Sequence, residues 1–151
     1  MLRTRLNEAL RDAMRARNAR GVSTIRMILA ALKDRDIAAR PKGNADGIDE
    51  GEIISLLKSM VKQRQESIAL YRQGNREDLA TQEAEEIAII EGFMPRQMDE
   101  AETEAAIRAV IVELGASSVK DMGRCMAELR ARHAESMDFA HASGLVKRLL
   151  G

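Results

Sequence analysis

Between Gly92 and Glu102 the chain reads "GFMPRQMDEAE", and no single helix can run through that stretch. Pro95 has no amide proton and disfavours helical dihedrals at Met94, while Asp99 and Glu102 are spaced to open a new helix with a capping box. The stretch therefore divides the chain into residues 1–93 and residues 94–151. On both sides of it apolar residues recur at three- and four-residue intervals, the period of a helix with one buried face. Hydrophobic residues make up 45% of the 151 positions and charged ones 32%. That is too apolar for a disordered chain, and Ala, Leu, Glu, Arg and Met all favour helix. The expectation is an all-α protein: an N-terminal domain of about four helices, then a small C-terminal three-helix domain.

The punctuation places the helices. Leu2, Leu6, Leu10 and Met14 share a face of a first helix ending near Arg20-Gly21, and Ser23 is placed to cap a second that stops before Pro41. Asp49 and Glu52 read as a capping box for a third helix, flanked by the Ile48–Ile53 staple and closed at Gly74 by a left-handed turn. Asn75 is placed to cap a fourth. Beyond Asp99, Ile107 to Leu114, Val119 to Leu129 and Phe139 to Leu149 mark three more, the first ended by Gly115.

Lys plus Arg equals Asp plus Glu at 24 each, so net charge gives no argument for a polyanion partner. The distribution does. Residues 1–42 hold 11 basic against 4 acidic side chains, a net of +7, whereas residues 77–104 hold 1 against 10, a net of −9. Arg3, Arg11 and Arg15 lie on the polar side of the first helix, with Asn7 and Asn18 among them. Lys58, Lys62, Gln65 and Arg72 form a stripe on the third. Both sets suit contacts to an RNA backbone, and Lys147 and Arg148 near the end of the chain are the competing patch. Attraction between basic and acidic regions within the protein would explain the same asymmetry.

Two residues of the third helix stand out. Tyr71 shares the face of Ile53, Leu57, Met60, Val61 and Ile68, which makes it a core or interface residue before it is a stacking platform. Arg64 lies near the centre of that face and needs a carboxylate, a carbonyl cluster or an external anion, since an unpaired buried charge costs several kcal/mol. Glu83, Glu85 and Glu86 of the acidic fourth helix are the available partners.

The sequence offers little for catalysis or metal binding. "KGNADGIDEGEI" misses a calcium loop at both essential ends, with Lys42 first and Ile53 last. In "GASSVK", Ser118 and Asp121 read as a helix cap, and Ser117 and Lys120 have no oxyanion site near them. His133, His141 and Cys125 match no zinc spacing. No phosphate-cradling glycine loop is present, so no cofactor and no metal are expected. A single cysteine, an opening "MLRTRLNEAL" without a secretory apolar core, and no run near the roughly 18 apolar residues of a membrane span lead to an expected cytoplasmic protein with no membrane partner.

In order, "STIRMILAALKDRDIAAR", "MVKQRQESIALYRQGNREDLATQEAEEIAIIEGFMPRQM", "GASSVKDMGRCMAEL" and "LVKRLL" resemble the GatB/YqeY-type proteins, small relatives of the tail of the B subunit of the tRNA-dependent amidotransferase. The resemblance spans essentially the whole chain. Asn75-Arg76 stands where the family usually has Gly-Arg, and Phe139 where a glycine usually follows the aspartate. The resemblance implies an all-helical protein in two helical domains. It also implies a role beside tRNA, because the amidotransferase tail helps hold tRNA while its catalysis lies in parts with no counterpart here. Three functions follow: a tRNA-binding or translation-associated accessory protein, which also meets other proteins of translation; a helical protein-interaction adaptor; and a component of a glutamine-dependent carbon–nitrogen ligase.

Overall fold

The computed structural model describes residues 1–151 as seven α-helices without a strand. They are α1 (Leu2–Arg15), α2 (Ala19–Ala39), α3 (Glu50–Gln73), α4 (Glu77–Glu91), α5 (Glu100–Leu114), α6 (Met122–His133) and α7 (Phe139–Leu150). The backbone gathers into two compact units, Met1–Met94 and Pro95–Gly151. No helix is long and apolar enough to cross a membrane.

In the first unit α2 packs against α1, α3 and α4, and α4 lies along α3. Leu6, Ile28, Ile53, Leu57 and Ile90 are almost wholly buried at the centre of its core. In the second unit α5, α6 and α7 pack pairwise around Ile107, Val110, Leu129, Met137 and Val146. A strap closes this unit: the Met98 amide donates to the Ser136 carbonyl at 2.8 Å and Gln97 Nε2 to the Glu135 carbonyl at 2.8 Å.

Several helix ends differ from the sequence reading. α1 stops at Arg15, and Asn18 rather than Ser23 caps α2, its Oδ1 accepting from the Gly21 amide at 3.0 Å. Gly21, in the first turn of that helix, leaves room for the cap, since a Cβ there would stand 2.7 Å from Asn18 Nδ2. Ser23 instead donates to the Arg20 carbonyl. At the end of α3 the left-handed residue is Asn75 (φ 56°), not Gly74 (φ −89°), so Asn75 closes α3 and does not cap α4. The Arg76 amide reaches the Tyr71 carbonyl (2.8 Å) and the Asn75 amide that of Arg72 (3.2 Å), the paired bonds of a Schellman ending. Arg17 (φ 53°) closes α1 the same way. Met14, placed on the apolar face by spacing, is 51% exposed, and Ala13 is buried in its stead.

Asp99 and Glu102 bond reciprocally as a full capping box, whereas at Asp49 only half of the expected box forms: Asp49 accepts the Glu52 amide at 2.8 Å without a return bond from the Glu52 side chain. Asp121 accepts the Ser117 and Ser118 amides, which holds its carboxyl below the ordinary range.

Candidate nucleic-acid interface

Arg64 is 7% exposed on α3. Its Nε donates to Glu86 Oε2 at 3.0 Å and its Nη1 to the Met60 carbonyl at 3.2 Å, with Glu83 3.9 Å away. Glu86 is equally buried, and its other oxygen is 3.8 Å from Arg20, which also bonds Glu85. The basic α2 and the acidic α4 thus meet through a charge network with Arg64 inside it. Burial pushes the Glu83 carboxyl up. Tyr71, about two turns further along α3, is only partly buried.

The candidate cations divide by what already holds them. Arg3 is already used as a structural clip. Its guanidinium grips Asp36 through two bonds of 2.7 Å and donates to the Ile48 carbonyl at 2.8 Å, leaving it little capacity for a ligand. Asp36 also accepts the Ile48 amide, and the Arg3 bond holds its carboxyl down at about 2. Gly47 (φ 93°) is required beside this clip, since a Cβ would stand 2.4 Å from Asp36 Oδ1. The two asparagines are likewise used inside the fold: Asn18 caps α2, and Asn7 donates to the Arg3 carbonyl. Arg15 is near Asp12 at 3.5 Å, Arg72 bonds Glu77 at 3.3 and 3.4 Å, and Lys58 is partly buried and engaged within the fold. Arg11 and Lys62, and Lys147 and Arg148 of the second unit, are exposed without an ion-pair partner.

A row that the charge count did not single out stands on α2. Arg26 and Lys33 of α2 and Arg40 at its C-cap recur every seven residues in helical backbone, so they fall close to one line, on a different face from the buried Ile25, Ile28 and Leu32. All three are exposed and none forms an ion pair; Ala30 and Ile37, also exposed, lie between them, and Ser23 lies one turn before Arg26. The acids of α2 are off this line: Asp36 is clipped by Arg3, and Asp34 is about 100° around the helix from Lys33. Seven-residue spacing was readable in the sequence. What the spacing does not show is which basic side chains the fold leaves without an acid, since that depends on the partners other elements bring. Beside it, a groove of about 400 Å³ between α2 and α3 is lined by Met27, Ala30, Ala31, Leu56, Met60 and Arg64.

The other tempting side chains do not assemble. Cys125 is buried, which pushes its thiol up, and His141 pairs with Glu100. No three His, Cys, Asp or Glu side chains converge as a metal set.

Curated relatives are proteins named "Altered inheritance of mitochondria protein 41, mitochondrial". That of Lachancea thermotolerans is 31% identical over 75% of this chain and 59% of its own length. That of Kluyveromyces lactis is 33% identical over 58% and 45%. That of Pyrenophora tritici-repentis is 26% identical over 97% and 80%. The chain spans about half the length of the first two of these relatives. Their names correct the cytoplasmic expectation, because a single thiol does not discriminate between compartments. The model of the family described as Yqey-like protein matches residues 3–150, and the chain belongs to that family.

Proposed function

We propose that the protein is a translation-associated accessory protein that binds the phosphate backbone of structured RNA, tRNA by resemblance, without a catalytic centre of its own. The observation that carries this reading is how the first unit uses its charges. Its buried acid, Glu86, is consumed by Arg64 and Arg20, and the hairpin acids Glu77 and Asp78 by Arg72 and Arg76. Cations of α1 and α2 are left outward without acids to neutralise them, a local field that net charge conceals. Arg11 and Lys62 are available to the same partner, and Lys147 and Arg148 form a second candidate surface. We further read the two units as independently folding domains, of four helices and of three. Filter binding of total tRNA across a salt series tests the function. Affinity that falls steeply with salt supports it, and binding no stronger than a neutral control protein at low salt removes it.

A second reading, a protein-interaction adaptor, is favoured by the groove between α2 and α3. Met27 at its edge is 46% exposed, and the small Ala30 and Ala31 leave room for an apolar side chain. Under that reading tRNA fails to bind and Met27→Glu abolishes capture of a protein partner.

A further inference from the structure

Resting on the RNA reading, we infer that the outer face of α2 is the contact surface, and that it takes the backbone of a double-helical RNA segment rather than a single strand. Arg26, Lys33 and Arg40 stand about 10 Å apart and span about 21 Å at 1.5 Å per residue. A helix fixed to the core from Gly21 to Ala39 fixes the backbone of Arg26 and Lys33, and Arg40 follows as its C-cap in helical conformation, so the spacing of the three anchor points is set. Cations anchored at fixed, wide spacing fit an acceptor array that is itself rigid over the same distance. A double helix is stiff on that scale, whereas a single strand has to be straightened, at a cost in conformational entropy. Between the cations stand Ala30, small enough for a sugar–phosphate ribbon to approach, and Ile37; the small Ser23 lies one turn before Arg26.

The aromatic residues decide the same way. Single-strand binding is built on aromatic side chains that stack bases. This chain has three aromatics, and none is on α2. Phe93 is buried under the Arg5 guanidinium, Phe139 is partly buried with Arg130 over its ring, and Tyr71 is half-buried on α3. Duplex RNA is recognised through shape, phosphates and 2′-hydroxyls, which requires no stacking. The nearest acids do not cancel the row: Arg40 faces Asp36, whose carboxylate is held by Arg3, and Asp34 faces the groove with Met27 and Gln63.

The test uses the full chain, a blunt RNA duplex of about 16 base pairs and an unstructured oligouridylate of equal charge, followed by fluorescence anisotropy from low to moderate salt. Wild type is expected to bind the duplex more tightly. The triple variant Arg26→Gln, Lys33→Gln, Arg40→Gln should weaken duplex binding and lower the slope of log affinity against log salt by about 2 to 3, at about 0.9 per phosphate contact. Arg108→Gln, Lys120→Gln, Arg124→Gln removes equal charge from the second unit and should leave the slope unchanged. All three positions are exposed, and a circular-dichroism melt establishes that the triple variant folds. If wild type binds RNA and the α2 variant binds it with the same slope, this face is overturned while the RNA reading stands. Equal or tighter binding of oligouridylate overturns the duplex assignment. Wild type that binds neither RNA overturns the parent reading and this one with it.

Discussion

Arg17 and Asn75 hold left-handed backbone at the ends of α1 and α3, positions where glycine has no Cβ to clash. Arg17→Gly should therefore stabilise the protein by about 1 kcal/mol in urea unfolding, and Asn75→Gly by less, because asparagine tolerates this region better than most residues. Gly74→Ala should be nearly neutral: its φ is −89°, and the new Cβ would meet carbonyl oxygens no closer than 3.7 Å. A loss of about 1 kcal/mol at Gly74 would mean that the left-handed residue is Gly74 after all. The sequence could not order these two residues, because glycine and asparagine both serve at that position. Asp36 gives a prediction in acid. Its folded value, about 2, lies below the usual carboxylate value, so between the two the unfolded chain takes up the proton first and stability falls as pH falls. Above pH 5, Asp36→Asn should cost about 1–2 kcal/mol, and the gap to wild type should close between about pH 4 and pH 2. A gap that does not change with pH would show that the carboxylate charge does not contribute.

At the scale of elements, the contact between α2, α3 and α4 turns on Arg64. Its angular position on an apolar face made the need for an acid readable from the sequence, and the acidic fourth helix made the donor of that acid readable too. The Arg3–Asp36 clip was not readable, because it joins residues 33 apart and depends on the Gly47–Ile48 turn that carries the chain past them. Helix existence followed from period and punctuation. The α1–α2 junction did not, since Asn18 and Ser23 are both good caps and only the space made by Gly21 selects Asn18. Glu86→Ala should destabilise by about 3–5 kcal/mol, because it strands a buried guanidinium, whereas Arg64→Met combined with Glu86→Leu should recover much of that loss. A double variant as unstable as Glu86→Ala alone would show that packing, not the unpaired charge, sets the cost.

For the whole molecule, the two compact units each have a core of their own, and "GFMPRQM" joins them. Limited proteolysis should cut first near residues 92–98 or in the loop from Lys42 to Gly47, where backbone is least protected. First cleavage inside α3 would contradict the reading of the units as separate domains. The candidate interface was only partly legible at this scale: the basic character of residues 1–42 showed in the sequence, but which cations stay outward depends on the partners that α4 and the clip supply. Assignment of the RNA-binding face to α2 is the proposal on which function turns. It is tested most directly by adding duplex RNA to isotope-labelled full-length protein and mapping amide shifts along the chain. Shifts concentrated between Ser23 and Lys42 are predicted. Shifts concentrated on α7 around Lys147 and Arg148, with α2 silent, would contradict it.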